Sequence, residues 1–418
     1  GKGSAGTGGP EGWVALKRLI IPSSAKEHAG FPTFALREIT FLKRLQHPNI
    51  TRLLNIVSSK GCEDIDGSIK TESLRQAPDA CKLQDAGSSS TFLVFEYVEH
   101  DLSGLIDARY NFDESQCKFL ALQLMRALTY LQQKRIMHRD IKSANVLVSS
   151  CLVLKLADFG MARHVHDEAE AALLRGDEHL HPAAALLRNV AGKNPPPREE
   201  FTNNVVTIWY RPPELLMGET KYLWQAVDVW SAGCVLAELQ LLRPLFPGKT
   251  VPEQMNMIMD VLGAPMEASW SGVSCLPHYG PLVQGRAEQQ ARTEHARVPS
   301  FRAAFENHMS DGLLNFIDRL LVLAPDKRMT PAAALTTNKY LQSCAESEVR
   351  PLGLVPSTSL HEFETKRSMR MKRDKRKQNQ ARHQSSSCPG ADIHRESDKP
   401  GANRSQLLKR SSDVLSYS

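Results

Sequence analysis

Residues 138–160 decide the reading of this chain: His138-Arg139-Asp140-Ile141-Lys142-Ser143-Ala144-Asn145, then an apolar stretch, then Asp158-Phe159-Gly160. An asparagine five residues after the aspartate of H-R-D, with D-F-G thirteen residues after that asparagine, is a spacing that chance seldom supplies. Upstream, Val14-Ala15-Leu16-Lys17 closes an apolar strand pattern with a lysine, and Glu38 lies in FALREITFLKRL, which has helical periodicity. Each signal alone is weak. In this order they form one constellation, and its chemistry is phosphoryl transfer. Lys17 is placed to meet the α- and β-phosphates of a triphosphate, held by an ion pair to Glu38. Asn145 and Asp158 supply hard oxygen ligands of the kind magnesium prefers. Asp140 can take the proton of an attacking hydroxyl, and Lys142 can neutralise the transferred group.

The rest of the chain is consistent with a large folded protein. It has 418 residues, 41% apolar and 23% charged, which excludes a collagen-like fibre, a disulfide miniprotein and wholesale disorder. No apolar run approaches the ~20 residues that cross a bilayer, so no membrane association is expected, and the Gly-rich N-terminus lacks a signal-peptide pattern. Eight scattered cysteines form no C-x-x-C pair, which fits a reducing compartment. Net charge is +6, but residues 366–418 carry 14 Lys/Arg against 5 Asp/Glu, leaving the remainder at −3. A basic tail on a mildly acidic body points to a partner or address for the tail and away from a nucleic-acid-binding fold.

Over residues 13–345 the sequence resembles the eukaryotic protein kinases. That resemblance implies an α+β, bilobal fold with a small β-rich lobe and a large mainly α lobe, using ATP and Mg2+. Pro212-Pro213-Glu214 stands where the family has A-P-E, and Arg328 is similar to the arginine that pairs with its glutamate. The subfamily is legible too. Phe31-Pro32-Thr33-Phe34-Ala35-Leu36-Arg37-Glu38 resembles the signature helix of cyclin-dependent kinases, which implies docking of a cyclin through that helix. Glu99-His100-Asp101-Leu102, HRDIKSANVL and FTNNVVTIWYRPPE resemble the transcriptional branch, kinases of the RNA polymerase II C-terminal domain. The activation-segment insert and the tail starting LHEFE are similar to its fungal members.

Position by position, the resemblance implies Phe95 as gatekeeper, with Glu96 and Val98 in the hinge that meets adenine and Asp101 near the ribose. Thr202 matches the activating phosphothreonine, which requires an activating kinase, and Arg37, Arg139 and Arg163 match its arginine pocket. Val205, Val206, Thr207 and Arg211 match the segment that selects proline after the phosphoacceptor, so Ser-Pro protein substrates are expected.

The expected organisation is a low-complexity remnant at 1–12, a small lobe and hinge at 13–98 with a loop insert at 58–90, a large lobe at 99–345 with an insert at 164–200, and a disordered basic tail at 346–418. Gly1–Gly6 formally fits G-x-G-x-x-G, but too few residues separate it from Trp13 for the return strand that motif needs. The chain therefore reads as a truncated one whose small lobe lacks its first two strands. The leading expectation is a proline-directed Ser/Thr kinase promoting transcription elongation in the nucleus, the address carried by Lys366–Lys377. The alternatives are a truncated or impaired kinase serving as a cyclin-binding scaffold, and a cell-cycle kinase of the same family.

Overall fold

Three antiparallel strands, ordered β1–β3–β2, build the sheet that carries Lys17: β1 (Val14–Leu19), β2 (Leu53–Lys60) and β3 (Ser89–Glu96). The computed structural model of the chain describes residues 13–19, 33–60, 89–165, 207–220, 222–292, 299–354 and 359–362. These lie in one compact unit, residues 1–367; a second unit, residues 368–418, is outside the described residues, as are residues 1–12. Side chains alternate across the sheet. Val14 and Leu16 are exposed, whereas Leu93 is fully buried. The register sets Lys17 opposite Leu93 and Ala15 opposite Phe95.

The ladder between β2 and β3 continues through Ser58↔Thr91, Ser59↔Ser90 and Lys60↔Ser89. The loop expected at 58–90 is thus shorter at both ends. Polar residues suggested a loop there, but strand pairing is held by backbone groups, which serine and lysine supply as well as any residue.

Helix α1 (Thr33–Arg44) packs one face inward. Glu38, Phe41 and Leu42, and Leu45 just beyond its end, recur at i, i+3, i+4 and i+7 and are all buried, while Leu36 stands 48% exposed.

The large lobe is mainly helical: α2 (Leu102–Asp107), α3 (Glu114–Gln133), α4 (Pro213–Leu216), α5 (Trp224–Leu241) and α6 (Val251–Leu262), with shorter helices to Gln342. Asp113 and Gln116 cap the start of α3 reciprocally, satisfying two otherwise orphaned amides. Helix α5 is buried continuously from Ala226 to Leu239; it is apolar on most of its surface, and its buried Asp228, Ser231 and Glu238 bond neighbouring segments. It is the frame on which the catalytic loop is hung. Short strands complete the lobe: β4 (His100–Asp101), immediately before α2, pairs with β6 (Val146–Val148) and β7 (Leu154–Leu156) in one sheet, and β5 (Ile136–Met137) pairs with β8 (Arg163–His164). Strand β8 and Val165, whose amide bonds Arg135, move the start of the activation-segment insert past residue 165.

Residues 346–418 do not form one unstructured tail. Leu352 is buried, its amide bonds Ser150 O and its carbonyl accepts from Tyr110 Oη at 2.8 Å. Leu360 makes a parallel bridge to His100, and Asp101 N donates to Leu360 O. Average composition over the tail hid these two leucine anchors, each of which satisfies backbone groups as well as burying apolar surface.

Candidate active site

Lys17, at the sheet, reaches both α1 and the D-F-G turn. Its Nζ lies 2.7 Å from Glu38 Oε1 and 2.8 Å from Asp158 Oδ1. Burial pulls the Lys17 amine down, but attraction to Asp158 and Glu38 outweighs it and the net shift is upward. Burial acts on Asp158 in the opposite sense and is likewise outweighed, chiefly by Lys17, so that carboxyl falls below its ordinary value. One cation thus bridges three elements, with Glu38 delivered by the inward face of α1.

The catalytic loop hangs from α5. Asp228 accepts the amides of His138 (2.7 Å) and Arg139 (2.9 Å), and burial pushes its carboxyl up, opposed by His138 and these two amides. This anchoring holds Arg139 at φ 64°, a region that costs a non-glycine residue roughly 1–3 kcal/mol; Asp158 of the D-F-G turn sits in the same region at φ 63°. His138 Nε2 contacts Ala157 O at 3.0 Å and its ring meets Phe159 edge-on, tying H-R-D to D-F-G.

Within the loop, Lys142 Nζ donates to Asp140 Oδ2 (2.7 Å) and Asn145 Nδ2 donates to Asp140 O (2.8 Å) and Oδ2 (2.9 Å). With its nitrogen so used, Asn145 presents its amide oxygen as an acceptor.

A cavity of about 270 Å³ joins the two lobes' contributions. Lys17, Glu38, Phe95, Glu96, Val98, Asn145 and Asp158 line it, with Ala15, Leu147 and His361. Glu96 is also structural: its carboxylate accepts Arg52 N and Lys155 Nζ. Asp101 does not line the cavity. Its Oδ1 caps α2 through Gly104 N, and its Oδ2 accepts from Glu362 N and contacts His361 Nδ1 at 3.1 Å. In this structure that carboxylate holds a helix start and the tail, with His361 between it and the cavity. His361, whose Nε2 lies 2.9 Å from Val98 O, is a polar cavity residue that sequence reasoning missed, as it missed Thr51 and Leu147. Its only signal was the LHEFE run, 260 residues from Asp101.

Arg139 donates through Nε to Met161 O. Burial raises the Tyr222 phenol, with Arg139 and Arg163 opposing, so those two arginines face a common point. The backbone of Arg37 is on α1, but its side chain, and all of Thr202, Val205 and Val206, lie outside the described residues. Thr207 is exposed and Arg211 buried beside Leu215 and Leu216, and burial lowers the Arg211 guanidinium. Glu214 and Arg328 form a bidentate pair at 2.6 and 2.7 Å, and Arg328 also stacks 5.0 Å from the Trp230 ring centre.

A lysine bridged to a helix glutamate and a D-F-G aspartate, above a loop aspartate framed by lysine and asparagine, defines the class of protein kinases. The protein kinase domain family matches residues 9–341. Cyclin-dependent kinase C-3 of Oryza sativa subsp. japonica is 36% identical over 78% of this chain and 83% of its own length. By these matches the chain belongs to the protein kinase family, among its cyclin-dependent members. Cyclin-dependent kinase C-2 of Arabidopsis thaliana is 36% identical over 85% of the chain, and CTD kinase subunit alpha of Schizosaccharomyces pombe 32% identical over 85%. The chain spans 58% and 48% of these two relatives' lengths. Among solved structures, the yeast RNA Pol II CTD kinase CTDK-1 complex contains a chain with TM-score 0.58 and 29% identity, matched over 82% of this chain and 88% of that one.

Proposed function

We propose that this chain is the catalytic part of a cyclin-dependent, proline-directed Ser/Thr kinase that phosphorylates the C-terminal repeats of RNA polymerase II in the nucleus. The observation that carries the catalytic reading is the pairing of Lys17 with both Glu38 and Asp158 over the same cavity that Asn145 lines. That intact chain of charges favours an active enzyme over a scaffold. The substrate reading is supported by the relatives named as CTD kinases, and the nuclear reading by the basic run Lys366–Lys377.

In this reading ATP occupies the cavity, its adenine against Phe95 and the Glu96–Val98 backbone and its phosphates toward Lys17. The donor set fits magnesium: an amide oxygen and a carboxylate are hard ligands, and the ion ordinarily completes its shell with phosphate and water. Bound there, it supplies charge neutralisation of the phosphates. Asp140, its Oδ2 fixed by Lys142 and Asn145, orients the substrate hydroxyl and accepts its proton. Lys142 screens charge on the transferred group.

Leu36, exposed on α1 opposite Glu38, belongs to the cyclin-docking face, and the cyclin secures the position of Glu38. Thr202, phosphorylated by an activating kinase, engages Arg37, Arg139 and Arg163, and Val205, Val206, Thr207 and Arg211 shape the pocket for proline. Asp140→Asn in the full-length kinase should lower kcat on a Ser-Pro peptide at least about hundredfold with ATP affinity retained. Turnover within tenfold of wild type would reject the assignment.

A further inference from the structure

Below the catalytic loop lies a closed polar contact that the reaction as described does not use. Ser143 is only 4% exposed. Its hydroxyl is 2.5 Å from Glu238 Oε2 and 2.8 Å from Tyr210 Oη, and Tyr210 Oη donates to the same Oε2 at 3.1 Å. The three oxygens come from three elements: the catalytic loop, the segment Ile208–Tyr210, and the buried helix α5.

We infer that Ser143 is a positioning residue that locks the catalytic loop to the substrate segment through Tyr210 and Glu238. The inference rests on the kinase reading above for its effect on turnover, and on the geometry alone for the link itself. Ser143 opens the turn Ser143–Asn145, and Lys142 precedes it as that turn's cap. Both neighbours that frame Asp140, Lys142 before and Asn145 after, therefore move with Ser143.

On the other side, the Tyr210 carbonyl accepts from Ser231 Oγ of α5, and the adjoining Trp209 carbonyl accepts from Gln254 of α6. Loop and segment are each tied to the helical frame elsewhere, the loop through Asp228. The Ser143–Tyr210 contact fixes the spacing between them where the acceptor hydroxyl must meet Asp140.

Both hydroxyls donate to Glu238 Oε2. Burial pushes that carboxyl up to about 7, opposed by these two hydrogen bonds. Tyr210 is raised well above its ordinary value by the same burial and by Glu238. The Leu245 amide and the Cys234 thiol are the other groups bearing on this carboxyl.

The test compares Ser143→Ala, Ser143→Thr and Tyr210→Phe in the full-length kinase with the subunits that co-purify. Ser143→Ala should lower kcat on a Ser-Pro peptide about tenfold, the loss expected when one hydrogen bond to a charged or buried partner is removed. ATP Kd should stay within about twofold. Ser143→Thr, which keeps the hydroxyl, should recover most of the loss, and adding Ser143→Ala to Tyr210→Phe should cost little more, as coupled residues do. Full kcat in Ser143→Ala, or equal losses in the Ala and Thr variants, would overturn the role.

Hydrogen exchange reads the link without turnover. In Ser143→Ala, amides of residues 141–145 and of 208–211 should both exchange faster while 226–239 stay protected. Unchanged exchange in either segment overturns the inference. A wild-type protein that transfers no phosphate, together with this exchange response in Ser143→Ala, would sink the kinase reading and leave the link standing.

Discussion

Two ion pairs in this molecule look alike on paper and do different work. Glu214–Arg328 is 1% exposed on both sides, bidentate, and further bonded to the Ala226, Val322 and Leu323 carbonyls. Lys17–Asp158 is 40% and 41% exposed and opens onto the cavity. A buried pair has nowhere to send an abandoned charge, whereas a half-exposed pair can rehydrate. The first therefore holds the large lobe together, and the second can exchange partners at little cost.

Glu214→Ala should give the largest effect on folding. It strands Arg328 in the interior, and loss of about 3–5 kcal/mol is expected from urea unfolding. Asp158→Asn should change stability by less than about 1 kcal/mol while lowering phosphoryl transfer at least about hundredfold. Equal stability losses in the two variants would erase the distinction between the pairs.

Next in size is a pH effect from Glu238. Its folded value of about 7 stands above the ordinary 4.5, so between those values the native state holds a proton that the unfolded state has lost. The stabilisation is complete below pH 4.5 and disappears as pH rises through 7, by about 3 kcal/mol in all. Unfolding curves at pH 5 and pH 8 should show this loss in wild type and a flatter profile in Glu238→Gln. The same slope in both would place the titrating group elsewhere.

The smallest effect concerns the tail. A Cβ at Gly104 would run into Leu360 O. Gly104→Ala should free residues 359–362 from His100 and Asp101 at a cost of about 1 kcal/mol and speed proteolysis near residue 360. An unaltered cleavage rate would show that the contact yields without releasing the segment.

The sequence by itself determined the class and most of the charged machinery. H-R-D, Asn145 and D-F-G lie within 23 residues of one another, and over so short a span the backbone leaves little choice about which side chains share a site. Lys17 and Glu38 were legible because a short strand carrying one lysine and a helix with one inward glutamate carry their periodicity in adjacent residues. Tertiary structure alone decided what joins residues with no local pattern between them. Ser143 meets Glu238 across 95 positions, and Asp101 meets His361 across 260. A serine in a loop and a histidine in a basic tail read as solvated in one dimension. Only the packing of α5 under the catalytic loop, and of Leu360 against β4, removes the water and makes each a partner.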